Sequence, residues 1–378
     1  MSRTEPPQDS PSFEAFGLPA SVLVALARRG IRVPTTIQTL TVPAVGQGRD
    51  LVVQAATGSG KTLAFGLPLL VREPVDERIP TVLVTAPTRD LARQIHAELE
   101  ASRGELPRRL VLACGGEALD RQVEALQRGA HWVIGTPGRL VELVEAGHLS
   151  LKQVRHWVLD EADELLLKGY EAELLKLVER LPERRQTLLF SATFPPTVQR
   201  LADEALRRPH RITVSQAERM PATLVHRTIE ARPEQWLETL VAWLERERPF
   251  LTLVFCPTRK MTQEVSEALF QRGFENEALS GELSSAKRKR ILDRFRTGDL
   301  PMVVATDLAA RGLDVPGLTH VVHWGLPREI ETYVHRSGRT GRAGREGQSI
   351  AIVSPRDRHQ VAEWSAKIPF EAERTRRR

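Results

Sequence analysis

Short apolar runs rich in β-branched residues recur along most of the chain, and longer stretches with helical spacing separate them. A first set lies at 50–54, 81–86, 109–113, 131–135, 155–159 and 186–190, and a second at 250–255, 301–305, 319–323 and 348–353. Within 163–181, apolar residues fall at Leu167, Tyr170, Leu174, Leu177, Val178 and Leu181, which is helical spacing. Parallel strands need long crossovers, and a helix is the usual one. The alternation therefore restricts the chain to α/β architectures in which helices cover both faces of mainly parallel sheets. The run 209–233 interrupts the rhythm with prolines and charges, which places a linker at 214–222. A chain of 378 residues is too long for one ordinary core. The expected organisation is an N-terminal segment 1–12, a first domain 13–213, a second domain 223–368 and a basic tail 369–378.

Composition narrows the class. Hydrophobic residues make up 41% and charged residues 27%, as in water-soluble globular proteins. No apolar run is long enough to span a membrane, and the polar, proline-rich start is unlike a signal peptide, so a cytoplasmic protein is expected. Cys114 and Cys256 sit far apart in apolar runs and read as buried free thiols. The net charge of +6 is carried mainly by arginine. That suits a polyanionic partner and suits equally well an arginine-biased codon usage.

In open α/β sheets, ligands bind beyond the carboxyl ends of the strands. Polar and glycine-rich clusters fall there repeatedly. LVVQA runs into AATGSGKT, TVLVTA into PTRDLA, HWVIG into TPGR, HWVLD into EAD and QTLLF into SAT. In the second set, LTLVFC leads to PTRK and MVVA to TDLAARGLD. Two sites facing one another across a cleft are expected.

AATGSGKT, 55–62, departs from G-x-x-x-x-G-K-[ST] at its first position, Ala55. Gly58 and Gly60 let backbone N–H groups turn onto phosphate oxygens, and a helix starting near Lys61 adds its positive end. Lys61 would neutralise the β- and γ-phosphates and Thr62 would hold Mg²⁺. Taken alone, a glycine-rich turn before a lysine reads the same way. Asp160 and Glu161 end another apolar run; Asp160 would hold Mg²⁺ through water and Glu161 would polarise the attacking water. An acidic helix start is the alternative, and the lysine loop upstream favours the pair. HRSGRTGR, 335–342, spaces Arg336, Arg339 and Arg342 among glycines. An arginine that reaches a γ-phosphate on closure adds roughly 10³–10⁵ in rate; a basic surface loop is the alternative.

Together these stretches resemble the DEAD-box RNA helicases, over about residues 13–355 and in family order. DEAD at 160–163, SAT at 191–193, TPGR at 136–139, ARGLD at 310–314 and GIRVPTTIQ at 30–38 carry the resemblance. It implies two RecA-like domains and RNA-stimulated ATP hydrolysis that unwinds short duplexes locally as the domains close. ATP and Mg²⁺ would be held by Ala55, Ala56, Thr57, Gly58, Ser59, Gly60, Lys61 and Thr62, with Asp160 meeting the metal through water. Gln38 would read the adenine edge and Phe13 would stack on the ring, although a lone Phe in such a start also serves as a core anchor. Asp314 would hold the ribose, and His335, Arg339 and Arg342 would face the γ-phosphate and Glu161, with Arg342 favoured as the arginine finger. Ser191 and Thr193, with Asp163, would couple hydrolysis to RNA release. Pro87, Thr88, Arg89, Gly115, Gly116, Thr136, Pro137, Gly138 and Arg139 would grip RNA in the first domain, and Thr258, Arg259, Thr306 and Arg311 in the second. Such contacts reach backbone and 2′-OH, so little sequence preference is expected.

The chain departs from the family pattern in places. Asp90 replaces a usual Glu, Ser337 a common Ile, and Ser280, Glu282 and Ser285 the customary His, Asp and Gln. Lys287, Arg288, Lys289 and Arg290 follow at once and either compensate or form a solvated helix face. The same motifs would serve an ATP-gated RNA clamp or annealing chaperone, and a DNA translocase is a further alternative. A monomer is expected, with protein partners supplying specificity. The loop carries a geometric condition. Alanine fits at position 55 only with φ below zero, so the positive-φ positions are expected at Gly58 or Gly60.

Overall fold

The computed structural model describes residues 12–55, 58–72, 79–213, 224–280, 283–310, 315, 317–341 and 346–373. The expected linker 214–222 and nearly all of the N-terminal segment lie outside these residues. The chain divides into two units, Met1–Val214 and Ser215–Arg378.

In unit 1 the apolar runs become β1 (Leu51–Gln54), β2 (Val82–Thr85), β3 (Leu110–Ala113), β4 (Trp132–Gly135), β5 (His156–Leu159) and β6 (Gln186–Ser191), and β7 (His210–Thr213) completes the sheet. Their order is β3-β4-β2-β5-β6-β1-β7, and every pairing is parallel. Successive side chains on a strand point to opposite faces. Val53, Val84, Val158 and Leu188 accordingly enter one core, and Val52, Leu83, Trp157 and Leu189 the other. Each face is then covered by helices, which is why the central strands read as unbroken apolar runs.

Unit 2 contains β8 (Leu224–Glu230), β9 (Thr252–Phe255), β10 (Glu277–Leu279), β11 (Met302–Ala305), β12 (His320–Trp324), β13 (Gly347–Val353) and β14 (Phe370–Ala372). They are ordered β10-β11-β9-β12-β13-β8-β14, again all parallel. Subtracting seven from each number returns the order of unit 1. The two units share one topology, two RecA-like folds in tandem.

Three expectations need correction. The run 209–233 contains β7 and β8, so its charges and prolines bracket strands. The segment 369–378 is not a tail throughout, because Phe370–Ala372 pairs with β8 as an edge strand; 374–378 lie outside the described residues. The 163–181 pattern is two helices, Ala162–Leu167 and Glu171–Arg180, parted at Gly169, where φ is 78°. Leu167, at the break, is 69% exposed despite matching the helical period. Cys114 and Cys256 are buried and free, and burial pushes their thiols up to about 11 and about 12.

Unit 2 carries polar groups in its core. His226 of β8 and His323 of β12 are buried at 3% and 0% exposure, and burial holds both imidazoles neutral, His226 down to about 4. The unfolded chain protonates these rings below about 6.5, whereas the folded chain does not. Stability is therefore full above pH 6.5 and falls as the pH drops toward 4, by about 1.4 kcal/mol per pH unit for each ring. Urea unfolding between pH 7 and 5, with hydrogen exchange followed in β8, β12 and β13, should show this loss. His226→Gln should shallow the slope by about one proton.

Candidate functional site

The loop after β1 shows the geometry the alanine requires. Among the described residues, the non-glycine residues at positive φ are Glu161, Arg208 and Arg248, so Ala55 lies below zero. Gly58 and Gly60 carry φ of 83° and 92°. Ala56 and Thr57 lie outside the described residues. The helix Lys61–Arg72 starts directly after the loop and points its N-terminus at the strand end.

Lys61 and Asp160 are both buried, at 5% and 2% exposure. Lys61 Nζ stands 3.9 Å from Asp160 Oδ1 and donates to the carbonyl of Ala55 at 3.4 Å. Burial raises the Asp160 carboxyl above the usual carboxylate range, the Lys61 ammonium opposes this, and Glu161 and Asp163 add to it. Asp160 and Glu161 set two buried carboxyl groups side by side at the strand end. A hard dication fits such a donor set. Glu161 sits in the left-handed region at φ 51° and ψ 57°, and its N–H donates to Asp160 Oδ1 at 2.9 Å. For a non-glycine residue this conformation costs on the order of 1–2 kcal/mol, and such strain gathers at functional sites.

Asp163, Ser191 and Thr193 are joined directly. Asp163 Oδ2 accepts from Thr193 N at 3.0 Å and from Thr193 Oγ1 at 2.8 Å. Ser191 Oγ accepts from Asp163 N at 3.2 Å and donates to the Thr193 carbonyl at 2.7 Å. The ends of β5 and β6 are thereby tied into one unit.

Gln38 is buried, and its carboxamide is already engaged. Oε1 accepts from Thr35 N at 2.9 Å and Nε2 donates to the Gly60 carbonyl at 3.1 Å. Thr35 Oγ1 donates to the Ser59 carbonyl at 2.8 Å. The PTTIQ stretch thus braces the phosphate loop. A Cβ at Gly60 would stand 2.4 Å from Gln38 Nε2, so the brace also fixes glycine there. Phe13 is 4% exposed and lies in a cluster with Leu18, Val22, Leu26, Leu63 and Leu67, against Phe16 at 5.9 Å between centroids. Its ring anchors the upstream segment to the helix that follows the loop.

The other half of this sheet edge, β3-β4-β2, gathers the remaining first-unit residues. Thr88 caps the helix Arg89–Ser102, its Oγ1 accepting from Leu91 N at 3.1 Å. A hydroxyl that accepts in this way keeps its own proton for an outside acceptor. Pro87 is buried behind it. The Arg89 guanidinium lies over Gly116, where φ is 76° and a Cβ would meet Arg89 Nη1; Gly115 precedes it. Thr136, Pro137 and Gly138 open the helix Pro137–Glu145. Arg139 is held by Glu142 at 2.8 Å and by the Glu117 carbonyl at 3.4 Å.

Unit 2 repeats the device. Thr258 caps the helix Arg259–Gln271, and its Oγ1 accepts from Met261 N at 3.2 Å. Thr306 Oγ1 accepts from Ala309 N at 3.4 Å. Arg336 is buried and makes a bidentate pair with Asp307 at 2.6 and 2.7 Å, its guanidinium 5.2 Å from the Phe255 ring. This arginine is therefore engaged within unit 2. His335 ends up half-buried near the end of the helix Ile330–Ser337, and Arg339 follows it at 8% exposure. Arg311, Asp314 and Arg342 lie outside the described residues, as does Glu282.

Sequence reasoning missed Thr35, Glu117 and Asp307. Thr35 had a signal, a Thr three residues before a Gln at a helix start. Asp307 follows an apolar strand as Asp160 does. Glu117 acts on Arg139 through its carbonyl, which no side-chain pattern records.

Residues 35–201 match the DEAD/DEAH box helicase family, and residues 234–344 match the helicase conserved C-terminal domain. A DEAD-box ATP-dependent RNA helicase CshA of Geobacillus kaustophilus is 39% identical over 350 residues, covering 93% of this chain and 75% of the relative. Among solved structures, Saccharomyces cerevisiae Dbp5 bound to RNA and ADP BeF3 aligns with a TM-score of 0.83 at 26% identity, over 96% of each chain. A DEAD box protein from Methanococcus jannaschii aligns with a TM-score of 0.59 at 32% identity, over 97% of this chain and 99% of that one.

The brace on the loop generates a test. Gly60→Ala must leave positive φ or displace Gln38, so nucleotide affinity should fall by roughly tenfold or more, about 1.4 kcal/mol. Titration with a fluorescent adenine nucleotide reads this directly, and unchanged affinity would contradict the brace.

Proposed function

Because the chain belongs to the DEAD-box family of ATP-dependent RNA helicases, we propose that unit 1 hydrolyses ATP between its glycine loop and Asp160-Glu161, and that both units grip RNA by its backbone. The observation that carries this division of labour is the buried Lys61–Asp160 pair at 3.9 Å behind a loop with two positive-φ glycines. Backbone N–H groups of the loop and Lys61 neutralise the phosphates, and Gln38 exchanges its protein bonds for the adenine edge. Phe13 holds the upstream segment in place beside that exchange. Asp160, through water, and Thr62 would hold Mg²⁺, which draws charge from the β- and γ-phosphates when bound. Glu161 orients the attacking water. Asp314 binds the ribose.

In the closed, ATP-bound state Arg339 and Arg342 stabilise charge on the transferred phosphoryl group, with His335 beside them. Catalysis of this kind is positioning plus charge stabilisation. Phosphate release loosens the bonds of Asp163 to Thr193, and so passes to the strand ends that carry the RNA contacts. Thr88, Thr258 and Thr306 donate their hydroxyl protons to phosphate oxygens, while Arg89, Arg139, Arg259 and Arg311 add charge. Gly115, Gly116, Thr136 and Gly138 bring backbone N–H groups close, and Pro87 and Pro137, which have no N–H of their own, shape the turns that present them. None of these groups reads a base edge, so the RNA is bound with little sequence preference and specificity comes from protein partners. The protein acts as a cytoplasmic monomer; among the described residues no helix is long and apolar enough to cross a membrane.

Glu161→Gln keeps shape and removes the charge, so turnover should fall by at least ~10² while ATP and RNA binding persist. Wild-type turnover in that variant would overturn the assignment. ATP hydrolysis should rise with single-stranded RNA and not with DNA of the same length. RNA affinity should fall steeply and log-linearly with salt, as a backbone-gripping surface requires.

A further inference from the structure

The helix Ile330–Ser337 precedes Arg339, and beside its apolar contacts the face it turns inward carries buried hydroxyls. Tyr333 and Ser337 lie one turn apart and both are fully buried. They meet His226 of β8, His323 of β12 and Ser349 of β13. Ser337 Oγ and Ser349 Oγ are 2.7 Å apart, and His323 Nε2 lies 3.2 Å from the first and 3.0 Å from the second. Ser349 Oγ donates to Tyr333 OH at 3.2 Å, and His226 Nδ1 is 2.9 Å from the same oxygen. The His323 ring is stacked on Tyr333 at 4.4 Å and 21°. His323 Nδ1 is buried without a hydrogen-bond partner. With the ring proton on Nε2 it leaves a lone pair uncompensated, which costs less than an orphaned N–H.

An apolar core of the same volume would be at least as stable, since a buried polar group left unsatisfied has a cost that apolar packing avoids. What directional bonds add is a single register. The helix cannot turn or slide by a fraction of a residue without parting Ser337 from both His323 and Ser349. The neighbouring Arg336 is locked to Asp307 by two bonds. Ser337 is two residues from Arg339, with only Gly338 between, so an error in helix register passes directly to the guanidinium. A displacement of about 1 Å can cost ~10² in rate.

We propose that Ser337, with His323 and Ser349, is a positioning set that fixes the helix register from which Arg339 reaches the γ-phosphate. This rests on the proposed role of Arg339. The residues touch no substrate; they act through the helix. Their effect therefore belongs to kcat, because the groups that bind ATP and most of those that bind RNA lie elsewhere.

The test uses the full chain and RNA-stimulated ATP hydrolysis. Ser337→Ala and Ser349→Ala should lower kcat about tenfold, with KM for ATP and apparent affinity for RNA unchanged and thermal midpoints within a few degrees of wild type. Ser337→Thr keeps the hydroxyl and should restore most of the rate. Arg339→Ala should lower kcat further, and adding Ser337→Ala to it should change nothing more, because the two act through one guanidinium. Wild-type kcat in Ser337→Ala beside a low kcat in Arg339→Ala would overturn the positioning role. Additive losses in the double variant would overturn it as well. Wild-type kcat in Arg339→Ala would instead overturn the role of Arg339 and, with it, this inference. If Ser337→Ala fails to fold, the same comparisons are read with Ser349→Ala.

Discussion

Unit 1 is organised around a charge problem. Lys61 and Asp160 sit at 5% and 2% exposure, with Glu161 and Asp163 nearly as buried. Each buried ion costs several kcal/mol unless its partners are in place. Strand ends must therefore meet closely enough to bring the ammonium and carboxylates together from distant parts of the sequence. The parallel register does this. β1 and β5 both flank β6, so the loop after β1 and the acids after β5 face one another across a single strand end. That strand ends in Ser191 and is followed by Thr193, which bonds Asp163. Oxygen donors gathered in this way fit a hard cation.

The duplicated topology shows how one scaffold takes two tasks. β8 holds the place in unit 2 that β1 holds in unit 1, yet Ala231-Arg232-Pro233 follows it instead of a glycine loop. β12 holds the place of β5, and Gly325-Leu326-Pro327 follows it instead of carboxylates. Unit 2 therefore lacks a glycine loop and an acidic pair at those places. The caps did not diverge. Thr88 and Thr258 have the same role after equivalent strands, with φ of −134° and −132°. A helix N-terminus with a spare hydroxyl proton suits a phosphate in either unit, whereas the loops after β1 and β5 have no counterpart in unit 2.

The sequence made the central strands legible because they are buried on both faces and read as unbroken apolar runs. β7, β10 and β14 escaped because each lies at a sheet edge and is only partly buried. β14, for example, is half-buried at Phe370 and exposed at Glu371 and Ala372. β8 escaped because it alternates: Leu224 and His226 are buried and Val225 and Arg227 less so, and a buried histidine reads as polar. Phe13 was weighed as a ring that stacks on a ligand or as an anchor, and burial makes it an anchor whatever else it does. The engaged carboxamide of Gln38 could not be read at all, since it depends on where the Gly60 carbonyl points. Ser337 looked like a tolerated departure. Its partners, His323 and Ser349, lie 14 and 12 residues away on two strands, and only the folded sheet makes the three one group.

The placement of Asp307 links grip to catalysis within unit 2. It directly follows Thr306, proposed to hold RNA, and it carries both bonds to Arg336 on the helix that delivers Arg339. A bidentate guanidinium–carboxylate pair transmits orientation as well as distance, because both bonds must lengthen or turn together. RNA that draws Thr306 toward a phosphate would pull on the same segment that anchors the helix. One residue further on, Ser337 is held by strands of the sheet core. The helix is thus fixed both by the sheet and by the segment that follows β11. Under the proposed roles, a rate that responds to RNA needs just such a helix: rigid enough to aim an arginine, and tied to a segment that RNA can shift.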